Sequence, residues 1–166
     1  MSQLDVFRLD GRVATIAGGS GAIGSAMASA LAGAGAHVVI VGQTIEKAEA
    51  AAGPIQATGA QALALAGDLT QEAECERVVA ATLERFGRLD IHVNAVGGGA
   101  GKVLFEAEAY PRDAWDWIYE LNVRSTLCAT QAAVKAMISG GRGGRVLNIS
   151  SVRGTLGINA GYSAYV

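Results

Sequence analysis

The stretch Ala17-Gly18-Gly19-Ser20-Gly21-Ala22-Ile23-Gly24 decides how this chain folds. The apolar run before it, residues 12–17, predicts a β-strand, and the Ala-rich segment 22–34 after it predicts an α-helix that Gly35 ends. Residues 19–24 therefore place G-x-G-x-x-G at a strand-to-helix turn. Small residues there let the backbone approach a pyrophosphate, while N–H groups at the helix N-terminus point at its charge. The turn predicts dinucleotide binding. The alternative is a glycine turn that only packs helix on strand.

Strands and helices alternate along the rest of the sequence. Further strands are predicted at 37–41, 62–66, 91–93 and 146–149. Helices are predicted from a Thr44 cap through 52, from a Thr70 cap through 86, and over 112–127 and 130–139. This alternation implies right-handed βαβ units. We therefore expect an α/β, Rossmann-type, doubly wound parallel sheet with helices on both faces, which forms one dinucleotide-binding domain over residues 1–166. The order of the motifs described below predicts the strand order 3-2-1-4-5.

Composition excludes several classes of function. The 166 residues carry a formal charge of −2 with no basic stripe, so we expect no nucleic-acid partner. No apolar run approaches the roughly 20 residues that span a bilayer, and the first residues do not resemble a signal peptide, so we expect no membrane partner and a cytoplasmic protein. Cys75 and Cys128 lie in separate predicted helices without a Cys/His cluster, so we expect reduced thiols and no metal.

The end of the second strand bears on the choice of cofactor. A dinucleotide site usually has an acid about 20 residues after the glycine turn, where it holds the ribose 2′-hydroxyl of NAD. Here the strand ends in Gly42-Gln43 with no acid. Gln43 can hydrogen-bond either cofactor but cannot neutralise a 2′-phosphate; alternatively, it is only a loop residue.

Several further segments lie at the ends of predicted strands or inside a helix. Gly67-Asp68-Leu69 follows strand three, and Asn94-Ala95-Val96-Gly97 follows strand four. Leu121-Asn122-Val123 lies in mid-helix, where Asn competes for backbone hydrogen bonds. Asn148-Ile149-Ser150-Ser151-Val152 ends strand five, at the edge where an open α/β sheet binds its ligands. Tyr162-Ser163-Ala164-Tyr165 comes just before the last residue.

In order and spacing, these segments resemble the short-chain dehydrogenase/reductase family over nearly the whole chain. Residues 17–24 resemble its T-G-x-x-x-G-x-G turn, with Ala17 and Ala22 as departures. Residues 94–97 resemble its N-N-A-G, with Ala95 replacing the second Asn and thereby removing a hydrogen bond in the sheet. The family's Tyr-x-x-x-Lys places the lysine at Val166 if Tyr162 is the tyrosine, or at position 169, beyond the last residue, if it is Tyr165. We favour Tyr165.

The resemblance implies a set of site residues. The cofactor-binding residues would be Gly18, Ser20, Gly21, Ile23, Gly24, Gln43, Asp68, Leu69, Asn94 and Gly97. The catalytic residues would be Asn122, Ser151 and Tyr165. Asp68 would approach the adenine, although a helix cap near Thr70 is the alternative. Asn122 would hold a water at a helix kink, and the Ser150–Ser151 pair could instead be a plain turn. The cofactor would be NAD or NADP, with a slight lean to NADP.

The implied function is NAD(P)-dependent hydride transfer between nicotinamide and a secondary alcohol or ketone, with a small-molecule substrate as partner. The run Ser151-Val152-Arg153-Gly154 resembles the same run in family members that act on sugars, sugar acids or polyols. A 3-oxoacyl substrate is the second alternative. Arg153 could meet a substrate carboxylate or be a solvated loop residue. Without the lysine and the rest of the sheet, the 166-residue chain is expected to be an inactive N-terminal portion, and the full-length protein a dimer or tetramer. The alternative is a non-catalytic dinucleotide binder or inactive remnant.

Overall fold

A computed structural model of the chain describes residues 3–157 and 161–165. Its five strands are β1 (Val13–Ala17), β2 (His37–Gly42), β3 (Ala62–Ala66), β4 (Ile91–Asn94) and β5 (Arg145–Asn148). Its five α-helices are α1 (Ala22–Gly33), α2 (Ile45–Ala57), α3 (Glu72–Phe86), α4 (Arg112–Tyr119) and α5 (Ser125–Ser139). Short 3-10 turns lie at Gln3–Phe7, Ala100–Lys102, Ala107–Ala109 and Val152–Gly154, and a π-helical turn, Glu120–Arg124, joins α4 to α5.

The strands form one parallel sheet in the order β3-β2-β1-β4-β5, as the sequence predicts. In this register Ala17 lies beside Val41 on one side and Asn94 on the other, and Asn94 lies beside Asn148. The carboxyl ends of all five strands therefore meet along a single edge of the sheet. We call this the carboxyl edge.

Helices cover both faces of the sheet because its side chains alternate between two cores. Ile16 and Ile40 point into a core shared with α1 and α2, while Val39 and Val41 point into one shared with α3 and α5. Both strands are nearly continuous apolar runs, as expected for strands buried on both faces. The doubly wound arrangement is thus confirmed.

Two predicted helix boundaries were wrong. Helix α2 does not end at residue 52 but runs through Pro54 to Ala57, because the buried Ile55 ties its last turn to the core. Thr44 does cap it, since its hydroxyl accepts a hydrogen bond from the Lys47 N–H. Thr70 does not cap α3, whose N-cap is Gln71 without a side-chain bond.

The helices predicted over 112–127 and 130–139, for which the sequence leaves continuity open, form one continuous helical segment. Residues 112–139 run without interruption, and the irregularity lies earlier, at the π-turn around Asn122. Two hydroxyls stabilise this turn: Ser125 donates to the Leu121 carbonyl at 2.6 Å, and Thr126 donates to the Asn122 carbonyl at 3.1 Å. The widened turn thus contains Asn122, the residue that the sequence marks as unusual for a helix.

Two features that would indicate other classes of protein are absent from residues 3–157 and 161–165. No helix among them is long and apolar enough to cross a membrane. They also contain no cluster of three or more His, Cys, Asp or Glu side chains that could hold a metal ion.

Candidate functional site

The glycine turn between β1 and α1 is built so that only glycine fits at two positions. Gly18 has a φ of 76°, and a Cβ there would lie 2.6 Å from the Ala95 carbonyl oxygen. A Cβ on Gly24 would collide with the Gly18 carbonyl. The turn therefore packs tightly against α1 and against the segment that follows β4.

The same turn leaves the N-terminus of α1 open at the carboxyl edge. The N-cap is Gly21, which has no side chain to accept from the first N–H groups of the helix. Ile23 is 60% exposed in the first turn. Exposed N–H groups at a helix N-terminus favour an anion. This cradle fits the pyrophosphate of a dinucleotide.

The end of β2 lies next to this turn. A Cβ on Gly42 would come 2.8 Å from the Ser20 hydroxyl, so the two segments are in contact. Gln43 is exposed. The Glu46 carboxylate folds back over the start of α2, where hydrogen bonds from its own N–H and from the Thr44 hydroxyl lower its pKa. Glu46 has no signal in the expected pattern, because it lies in the first turn of α2 and not at the end of β2.

After β3, Asp68 and Leu69 make internal contacts. Asp68 is exposed and accepts hydrogen bonds from the Thr70 N–H at 3.1 Å and the Thr70 hydroxyl at 2.7 Å. The Leu69 side chain is 6% exposed and packs in the core under α3, while its carbonyl accepts from the Cys75 thiol. The cofactor role of both residues stays a prediction.

A chain of buried polar groups crosses the sheet beneath the carboxyl edge. The Asn94 side chain is 2% exposed, and its Nδ2 donates to Thr130 Oγ1 and to Asn148 Oδ1, both at 2.8 Å. Its Oδ1 must therefore accept from His92 Nε2 at 2.9 Å, which leaves His92 Nδ1 to accept from the Thr15 hydroxyl at 2.7 Å. Burial lowers the pKa of His92 to about 4, so the ring is neutral. We call this chain the sheet network.

The sheet network distinguishes between a side-chain role and a backbone role for Asn94 at a cofactor. Its side chain belongs to the interior and ties β4 to β5, so only its backbone could contact a cofactor. His92 itself was not singled out in the sequence, because one histidine in an apolar strand gives no spacing pattern to recognise.

Asn122 holds the glycine-rich segment that follows β4. Its Oδ1 accepts from the Gly98 N–H at 2.8 Å, and its Nδ2 donates to the Gly98 carbonyl at 3.1 Å and the Ile118 carbonyl at 3.0 Å. A Cβ on the exposed Gly97 would lie 2.8 Å from the same Oδ1. The side chain is thus engaged with this loop, and a water would have to bind at the backbone of the π-turn.

Ser151 lies on a short turn after β5. Its Oγ accepts a hydrogen bond from the Arg153 N–H at 3.1 Å, which leaves the hydroxyl proton available for another acceptor. Ser151 lies three residues after Asn148, whose strand neighbour is Asn94, so it follows β5 at the carboxyl edge.

The tyrosines lie on a turn that packs against Leu104 and Phe105. The Tyr165 N–H donates to the Tyr162 carbonyl at 2.8 Å, and the Gly161 carbonyl accepts from the Phe105 N–H at 3.2 Å. Both tyrosines are partly buried, and in the described residues neither phenol bonds to Ser151 or Asn122. The choice between them stays a prediction, and Val166 lies outside the described residues.

A groove of about 470 Å³ lies between α3 and α5. Leu89 and Arg142, which line it, come just before β4 and β5, so the groove is at the edge opposite the glycine turn. It holds none of the predicted site residues. The presence of a groove alone therefore does not identify the candidate functional site.

The fold and the glycine turn define an α/β protein of the Rossmann type. The family model described as short chain dehydrogenase matches residues 12–166, and the chain belongs to this family. A curated relative, sorbitol dehydrogenase of Cereibacter sphaeroides, is 39% identical over 153 residues, which cover 90% of this chain and 56% of the relative.

Solved structures of the family superimpose closely on this chain. A 7α-hydroxysteroid dehydrogenase complexed with NADH and 7-oxo glycochenodeoxycholic acid has a TM-score of 0.88 at 33% identity, and the match covers 99% of this chain and 62% of that one. A short-chain type dehydrogenase/reductase from Mycobacterium marinum has a TM-score of 0.92 at 30% identity and is covered to 64%. The chain thus spans less than two thirds of the length of these relatives.

Proposed function

We propose that this chain binds a nicotinamide dinucleotide along the carboxyl edge and serves an oxidoreductase that acts on a secondary alcohol or ketone. The observation that carries the proposal is the glycine turn, which opens the uncapped N-terminus of α1 at the same edge as Ser151. Gly18, Gly21 and Gly24 would hold the pyrophosphate. The remaining cofactor contacts would come from the ends of β2, β3 and β4.

Bound nicotinamide dinucleotide would supply or accept the hydride. Ser151 would donate its free hydroxyl proton to the substrate oxygen and so orient it. Asn122 would fix the loop at Gly98 that borders the same space. Tyr165 would exchange the proton of the substrate oxygen. A free phenol has a pKa of about 10, so a cation must lie near Tyr165 for it to act near neutrality.

In the family pattern that cation is a lysine four residues after the tyrosine, at a position that these 166 residues do not include. We therefore propose cofactor binding for the 166-residue chain and assign turnover to the full product of its gene. We also propose that this product is a cytoplasmic homo-oligomer. The free, buried cysteines, Cys75 and Cys128, fit a reducing compartment.

For the substrate we propose a sugar, sugar acid or polyol. The similarity to sorbitol dehydrogenase supports this class. The test is an assay of the full gene product with a panel of polyols, in which formation of reduced cofactor is followed and compared with that of Ser151→Ala. We expect turnover that falls by about a hundredfold or more in the variant. A protein that binds NADH but turns over no alcohol or ketone would be a non-catalytic binder instead.

For the cofactor we propose that both NAD and NADP bind, with discrimination below about a hundredfold, or about 2.7 kcal/mol. Gln43 offers hydrogen bonds to either form but no charge. Glu46 at the start of α2 opposes a 2′-phosphate, which weakens the lean to NADP that Gln43 alone suggests.

A further inference from the structure

Arg153 is a partly buried cation without a counter-ion. Its backbone N–H bonds to Ser151, but its guanidinium has no hydrogen bond, ion pair or ring contact among residues 3–157 and 161–165. Other charges that are not fully exposed are paired: Arg88 bonds to the buried Asp90, and Glu74 to Arg77. Partial burial of an unpaired charge costs free energy, so the position of Arg153 calls for a partner.

The stretch of chain that carries Arg153 contains no carboxylate side chain. Residues 121–166 contain no Asp or Glu at all, and neither does the segment 95–105, which carries Lys102. These two parts of the chain meet at the hydrogen bond between Phe105 and Gly161. None of the residues outside the described ranges has a carboxylate side chain either. The nearest acids after the segment 95–105, Glu106 and Glu108, follow Phe105 and are exposed, and neither pairs with Arg153 among the described residues.

The other end of the same edge carries more acids. Glu46, Asp68, Glu72 and Glu74 follow β2 and β3 there, although Lys47 and Arg77 lie among them and Arg77 pairs with Glu74. These acids disfavour an anionic group on a substrate, whereas the cation of Arg153 attracts one.

We propose that Arg153 determines specificity by pairing with a carboxylate on the substrate, so that the preferred substrate is a hydroxy acid or its keto form and not a neutral polyol. The inference rests on the proposed function, because it places the reacting carbinol at Ser151. The turn Val152–Gly154 links the two groups: the Ser151 hydroxyl orients the oxygen, and the guanidinium one short turn away holds the acid. Two parallel N–H···O bonds from one guanidinium fix a planar carboxylate in orientation as well as position.

The experiment compares matched pairs of substrates in the full gene product. Each pair is a sugar acid and the polyol with the same carbon chain, such as D-gluconate and D-sorbitol. The series covers carbon chains of about three to six atoms. We expect kcat/KM for the acid to exceed that for the polyol by about 10- to 100-fold.

The variants show whether Arg153 is the cause. Arg153→Met should raise KM for the acids and remove their advantage while leaving the polyols unchanged, and Arg153→Lys should restore part of it. Arg145→Met, at the opposite end of β5, is the matched control and should change neither.

Three results overturn the inference. The first is equal turnover of the polyols and their acids. The second is an acid preference that survives in Arg153→Met, and the third is failure to turn over any acid in the series. In each case, NADH binding and turnover of another alcohol would leave the proposed function standing. If the protein neither binds NADH nor oxidises any alcohol, the proposed function itself fails.

Discussion

His92 makes the stability of this chain sensitive to acid well above the pH at which carboxylates titrate. The ring is buried in the sheet network, and burial lowers its pKa from 6.5 to about 4. In the unfolded chain the same ring takes up a proton near pH 6.5. The unfolded state therefore binds more protons between these two values, and the free energy of unfolding falls as the pH falls through this window.

The size of the effect follows from the two pKa values. A difference of roughly 2.5 pH units corresponds to about 3 kcal/mol once the pH is below both values, and about 2 kcal/mol of this is already lost between pH 7.5 and pH 5. That loss is a large part of the total stability of an ordinary domain. Carboxylates with lowered pKa values, such as Asp90, lose their contribution at lower pH and add little in this range.

The assay is urea unfolding of the 166-residue chain at pH 7.5, 6 and 5, compared with His92→Gln. The variant is less stable at pH 7.5 because Gln cannot reproduce the contacts with Thr15 and Asn94, but its stability should change about 2 kcal/mol less between pH 7.5 and pH 5. His37→Gln is the matched control, because His37 is the only other histidine and lies partly exposed at the start of β2. Equal pH dependence in the wild type and His92→Gln would refute the argument.

Three further predictions concern the site. Gly24→Ala should weaken NADH binding by about tenfold or more because its methyl group displaces the turn. The methyl group of Gly33→Ala, in the same helix, meets no atom within 4 Å and should leave binding intact. Fluorescence titration measures both affinities, and equal values would contradict the geometry. Gln43→Arg should favour NADPH over NADH by about tenfold or more relative to the wild type, since a guanidinium can pair with the 2′-phosphate; parallel titrations check this, and an unchanged ratio would place the phosphate elsewhere. In the full gene product, Tyr165→Phe should abolish alcohol-dependent reduction of the cofactor while Tyr162→Phe keeps it, and the reverse pattern would move the catalytic register to Tyr162.

Much of the fold was predictable because its signals are local and repeated. Apolar strands such as residues 37–41, the glycine turn and the alternation of elements predict a parallel sheet with right-handed crossovers, and the order of the family's motifs supplies the strand order. The end of α2 was not predictable in the same way. Gly53-Pro54 indicates a helix end, but the burial of Ile55 outweighs the low helix propensity of both residues.

The candidate site was predictable only where a residue pattern carries it. The turn at Gly18–Gly24 and the special position of Asn122 both follow from the sequence. The bonds from Asn122 to Gly98 and the orientation of the Glu46 carboxylate depend on how distant or folded-back groups meet, which no spacing in the sequence records. The polarity of the sheet network likewise depends on contacts between β1, β4, β5 and α5.

The most direct test of the central claim is hydrogen–deuterium exchange of the 166-residue chain with and without NADH. Backbone N–H groups at the carboxyl edge should gain protection, above all the turn at Gly18–Gly24, followed by residues 42–46 and 94–98. The groove between α3 and α5, at the opposite edge, should show no change. Protection confined to that groove, or no protection anywhere at an NADH concentration of about 1 mM, far above a typical cofactor Kd, would contradict the proposal that this chain binds a nicotinamide dinucleotide at its glycine turn.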